Sequence, residues 1–205
     1  MIINKEDLYN KKGVLVIGSP RSGTHHLCHG LYTASDIKNK KFQGEIYTNF
    51  DTAQIIKILD PILNSNQFTF SSLVQWVPKN LLVQYRNYLK SNFYLINLRR
   101  LDKVAQYRSW CCARLMWQYN HEHSLNWTII EKDLPFFVSN EDIDNFIIEQ
   151  NADYMFEYDQ IVYYEDLYVH SKYKINQYLK PNSEIFSNFD LVLERLGNYK
   201  YADKE

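Results

Sequence analysis

The sequence predicts an α/β domain with a mostly parallel central sheet and helices on both faces, three layers deep. Three observations carry that expectation. Two short apolar runs, "GVLVIG" and "NFYLINL", read as strands buried on both sides. Stretches with helical spacing of apolar residues separate the strands, so strand and helix alternate along the chain. The first run ends in a glycine-bearing turn that opens directly into a helix, the first half of a strand–helix–strand unit.

The elements follow in order. After "GVLVIG", residues 22–32 carry Leu27 and Leu31 at helical spacing. "KKFQGEIY" reads as a second strand or edge segment turning at Gly44. "TAQIIKILDPIL" is helical, with Pro61 ending or kinking it. Pro78 suits the first turn of a helix running to Leu89. Residues 93–98 form the second clear buried strand, and Asp102 has the character of an N-cap for "KVAQYRSWCCARLMWQ". Residues 141–156 read as a polar amphipathic helix. "QIVYYEDL" reads as a third strand, leading into a last long helix over "YVHSKYKINQYL". No repeat, low-complexity tract or Gly/Ser-rich linker interrupts the pattern, so a single domain over residues 1–205 is expected.

Composition narrows the function classes. With a formal net charge of −1, the chain has no global field to draw in nucleic acid or anionic membranes, and any anion site must be built locally. No basic cluster with interleaved aromatics argues for nucleic acid. No apolar run reaches the roughly 18 residues of a membrane span. The polar opening "MIINKEDLYNKKG" has no apolar core of a secretory leader. Three cysteines, with Cys111 and Cys112 adjacent, make a poor disulfide framework and a poor zinc site, so a cytoplasmic location is expected. His25 and His29 lie four apart without an evident third metal ligand, and H-E-x-x-H is absent. The 17 tyrosines, and the aromatics of residues 68–76 and 110–127, are explained by core packing, though rings in the middle of the chain would also stack on sugars.

The chemistry concentrates in "VLVIGSPRSGTHHL". Gly18, four residues and Gly23 have the glycine spacing of a phosphate-binding loop, but Thr24 follows directly and the usual lysine is missing. In a sheet of this kind, ligands gather at the carboxyl ends of the strands, where this loop lies. Loop N–H groups and the start of the next helix favour an anion, and Arg21 adds a fork of donors. Ser22 and Thr24 supply hydroxyls. A Mg-dependent triphosphatase also needs a strand-borne aspartate; of the later strand ends, "INLRR" carries arginines and only "VYYEDL" offers carboxylates, which disfavours metal-assisted triphosphate chemistry.

"GSPRSGTHHL" resembles the 5′-phosphosulfate loop of the sulfotransferases that use 3′-phosphoadenosine 5′-phosphosulfate (PAPS), in the arginine form of the carbohydrate and tyrosylprotein branches. Their second signature, a strand ending in arginine with a serine two turns into the next helix, is similar to "LINLRRLDKVAQYRSW". "VYYEDL" is similar to the segment that places a tyrosine beside adenine, and "FQGEIY" to the step that carries a glutamate base. The resemblance covers residues 14–167 in four short segments and implies a P-loop-like three-layer α/β/α fold and a sulfotransferase that releases PAP. Pro20, Arg21, Ser22, Gly23, Thr24 and His25 would hold the phosphosulfate, with Arg21 also stabilising charge in the reaction. Arg100 and Ser109 would hold the 3′-phosphate, with Arg99 or Arg108 able to share that role. Tyr164 would contact adenine, and Glu45 would be the general base. No metal is implied, and the acceptor would be a carbohydrate or other small molecule. Two rivals accompany this expectation: a P-loop nucleotide or small-molecule kinase, and a non-catalytic PAP(S)-binding module. Lys79 in "VPKNL" and Lys200 near the C-terminus match the family's lysines only loosely. The structural alternative for Arg99 and Arg100 is an ion pair with Glu165 or Asp166.

Overall fold

The structure is a computed structural model that describes residues 3, 5–46, 57, 59–62, 64–74, 87–120, 134–150, 157–170 and 182–199. Its centre is a sheet of five parallel strands: β1 (Gly13–Gly18), β2 (Lys40–Ile46), β3 (Phe68–Val74), β4 (Phe93–Arg99) and β5 (Gln160–Tyr163). Their order across the sheet is β2-β3-β1-β4-β5. The named helices are α1 (Thr24–Ala34), α2 (Lys103–Asn120), α3 (Asn140–Gln150), α4 (Tyr164–His170), α5 (Asn182–Ile185) and α6 (Phe189–Leu196).

Burial explains the layers. Side chains alternate across a strand, so β1 offers Val14 and Val16 to one face and Leu15 and Ile17 to the other. All four are fully buried, as are Leu95 and Ile96 on β4, so both faces are covered. Val14 and Val16 pack with Phe70, Ile96 and Leu98 against Leu27 and Cys28 of α1. Fully burying an apolar side chain of this size contributes about 1.5–3 kcal/mol, so this layer is a principal source of stability. A second cluster joins Tyr107 and Trp110 of α2 to Phe146 of α3 and Val192 of α6. The Tyr107 ring stacks on Trp110 at 5.7 Å and on Phe186 at 5.8 Å. The α/β class with a parallel sheet is therefore as the sequence predicts, and no helix among the described residues is long and apolar enough to cross a membrane.

Several elements differ in detail from the sequence-based expectation. β3 was not anticipated as a strand. Its centre is Ser71 and Ser72, both fully buried between β1 and β2. Tyr164 opens α4 rather than extending β5. β2 is an edge strand whose register slips between Phe42 and Gly44, and Gly44 takes a φ of 79° there. Pro61 sits inside helical residues 59–62. Pro78, Lys79 and Lys200 lie outside the described residues.

The topology positions the site. From β1 the chain crosses to β2 at one edge, returns to β3, and then adds β4 on the opposite side of β1. The strand order reverses at β1, so the turns after β1 and β4 open side by side at the crevice where ligands of such sheets bind.

Candidate anion-binding site

The turn after β1 is shaped by two residues in the left-handed region, Arg21 at φ 63° and Gly23 at φ 95°. Ser22 N–H donates to the Ser19 carbonyl (3.2 Å), closing the turn. Space around it is tight. A Cβ on Gly18 would lie 2.5 Å from Ser22 Oγ and 2.7 Å from the Leu98 carbonyl oxygen. A Cβ on Gly23 would lie 2.7 Å from the Tyr164 ring. Both glycines are therefore required by close approach, and Gly23 by its backbone angle as well.

Helix α1 begins at Thr24 with Gly23 at its N-cap, no side-chain cap and no acidic residue in its first turn. Leu27 N–H makes the first intrahelical bond, to the Gly23 carbonyl (3.0 Å). The amides of Thr24, His25 and His26 precede it and have no intrahelical acceptor. They add to the positive end of the helix dipole, and no carboxylate of that turn neutralises it.

Cations from the second signature converge here. Arg21 Nε donates to Ser109 Oγ (3.0 Å), joining the loop to α2. Arg100 Nη1 reaches the Arg21 carbonyl (3.4 Å), and its guanidinium lies 4.7 Å above the Tyr164 ring. Burial, and then the neighbouring Arg100 charge, pull the pKa of Arg108 below its usual value. Ser22 is fully buried, and its Oγ has no hydrogen-bond partner in the structure.

Carboxylates play a different part from the one weighed in the sequence. Glu165 is placed against backbone: its carboxylate accepts Leu101 N–H (3.0 and 3.1 Å) and Asp102 N–H (3.0 Å). It thereby fixes the turn that presents Arg100. Asp102 caps α2 as expected, with Oδ1 accepting Ala105 N–H (2.8 Å). Arg99 is buried and donates through Nε to Asn97 Oδ1 (2.9 Å), two residues back on the same face of β4.

The structure thus brings together Arg21, Ser22, Gly23, Thr24, Arg100, Ser109 and Tyr164. Pro20 is buried in the loop. His25 is exposed at the start of α1, with its ring edge-on to Phe42 at 5.3 Å. The half-buried His26 beside it has its pKa lowered by burial and by His29 and His25. Glu45 lies on β2 opposite Ser72, and its side chain is outside the described residues. Cys28, Cys111 and Cys112 are free thiols, raised by burial to about 12, 12 and 11, which suits packing and not nucleophilic work. No cluster of metal-ligating side chains occurs among the described residues.

Sequence reasoning missed the floor of the loop. Ser19 Oγ donates to Gln150 Oε1 (2.6 Å), and Gln106 Nε2 donates to Ser19 Oγ (3.0 Å) and the Pro20 carbonyl (2.8 Å). Lys103 Nζ donates to Gln106 Oε1 and Gln150 Oε1, each at 2.9 Å. The three-residue spacing of Lys103 and Gln106 on α2 was a usable signal. Gln150, 131 residues from Ser19, offered none. In comparisons with known proteins, the chain matches no family model, no curated protein and no solved structure.

Proposed function

We propose that the chain is a sulfotransferase that moves a sulfuryl group from PAPS to an acceptor hydroxyl of a carbohydrate or other small molecule. One observation carries this reading. Arg21, Arg100 and Ser109, contributed by the two separate signature segments, meet beside the uncapped start of α1. The donor set fits a ligand with two anionic groups: loop and helix amides with Arg21 for one, Arg100 and Ser109 for the other. The buried Ser22 hydroxyl fits the first group as well.

When bound, PAPS supplies a sulfuryl group already joined to a phosphate that can leave. Arg21 and the first amides of α1 are donors fixed in advance, so they stabilise growing negative charge without reorganising. Arg100 and Ser109 hold the 3′-phosphate, and Tyr164 flanks the adenine. Glu45, at the carboxyl end of β2, takes the proton of the acceptor hydroxyl. The absence of a P-loop lysine weighs against triphosphate chemistry.

The test is thermal unfolding with adenosine 3′,5′-bisphosphate, against 5′-AMP and against ATP with Mg. At 100 times its dissociation constant the bisphosphate should raise Tm by about 5–10 °C. Glu45→Gln should keep that shift and lose sulfuryl transfer. A shift with ATP and Mg alone would replace this reading with a kinase. A bisphosphate shift with no transfer to any acceptor would leave a binding module.

A further inference from the structure

We infer that Lys103 and Gln106 are positioning residues that set the direction of the Pro20–Arg21 peptide and so make the loop competent to hold an anion. The inference rests on the anion-binding reading of that loop.

The argument starts from hydrogen-bond polarity. A lysine ammonium only donates, so Gln106 and Gln150 must both turn their amide oxygens toward Lys103 Nζ, as they do at 2.9 Å each. Once Gln106 presents its oxygen to Lys103, its NH₂ is left to face the loop. It donates there to the Pro20 carbonyl and to Ser19 Oγ. Ser19 Oγ in turn donates its hydrogen bond to Gln150 Oε1, and a ring of four side chains closes. Ser19, Gln106 and Gln150 are fully buried and Lys103 is 1% exposed, so water offers no ready substitute for these bonds. The Tyr199 ring, 5.4 Å from Lys103 Nζ, adds a cation–π contact.

The consequence lies in the next peptide. In a trans peptide the C=O and N–H point in opposite directions. With the Pro20 carbonyl drawn into the floor by Gln106, the Arg21 N–H is turned away from the floor, outward with the other donors of the loop. The conformation is one that a residue with a side chain resists, because Arg21 holds φ 63°. Without the Gln106 bond, a flip of this peptide would let Arg21 relax to negative φ. The carbonyl would then take the place of the N–H and repel an anion.

Gln106→Glu separates this role from stability. The carboxylate keeps the oxygen that Lys103 holds, now as an ion pair, and lacks the NH₂ that holds Pro20. Binding of adenosine 3′,5′-bisphosphate and of inorganic pyrophosphate is measured by calorimetry, with urea unfolding in parallel. Both ligands should bind at least tenfold more weakly to Gln106→Glu, which should remain folded. Lys103→Met should weaken binding in the same way, with Lys103→Arg restoring most of it. Equal affinity of Gln106→Glu and wild type for both ligands overturns the inference. Should the wild type bind pyrophosphate without preferring the bisphosphate, the sulfotransferase reading falls, and pyrophosphate still decides the role of Gln106. Should Gln106→Glu not fold, the Lys103→Met and Lys103→Arg pair decides, and equal affinity of Lys103→Met and wild type overturns the inference. If the wild type binds neither ligand, both readings fall.

Discussion

Gly23 illustrates how one missing side chain serves two ends. Its φ of 95° suits glycine, and the Tyr164 ring occupies the volume where a Cβ would sit. Tyr164 in turn carries the Arg100 guanidinium on its face. Gly23→Ala therefore cannot be absorbed locally: the ring must move, and Arg100 with it. The substitution should cost about 1–3 kcal/mol in urea unfolding. It should also weaken bisphosphate binding by more than that loss of stability explains. A Gly23→Ala protein with wild-type stability would show that the ring yields freely and that the contact constrains nothing.

At the level of elements, α4 acts as a clamp on the turn between β4 and α2. Its first residue, Tyr164, meets Arg100 through the ring, and its second, Glu165, meets two amides through the carboxylate. Glu165→Ala should destabilise the protein by about 1–2 kcal/mol. It should also erode the preference for adenosine 3′,5′-bisphosphate over 5′-AMP, read by calorimetry, because Arg100 loses its fixed turn. Unchanged discrimination would mean that Tyr164 alone positions the guanidinium. This clamp was not legible in the sequence, since 64 residues separate Glu165 from Leu101 and no local spacing records the contact. The strand–turn–helix around Gly18 was legible because an apolar run, two glycines and the following helix are all local signals. β3 was not. Ser71 and Ser72 are buried by the strands on either side, and a serine pair carries no apolar alternation to read.

Across the whole molecule, buried weak acids set an alkaline limit. Cys28, Cys111 and Cys112 titrate at about 12, 12 and 11 in the folded protein because burial penalises the thiolate. Tyr88 is raised to about 12 by burial and by its bond to Asp60. Each folded value exceeds the unfolded one, so unfolding releases protons once the pH passes the unfolded pKa. Stability should be fully present below about pH 9 and fall steadily toward pH 12. Urea midpoints at pH 8, 9.5 and 11 would check this, and a midpoint that rises over that range would contradict it.

The central place of β1 has a consequence for how the protein is made. β1 leaves the ribosome before its two sheet neighbours, which begin only at Phe68 and Phe93, and before the clamp on its loop, which comes at Tyr164. Contacts so distant in sequence give a high contact order, and chains of that kind fold slowly. Until those partners arrive, the apolar run "GVLVIG" stands exposed to chaperones and to other nascent chains. A fragment ending before Tyr164 would lack the clamp, so ligand recognition should appear only once α4 has been made.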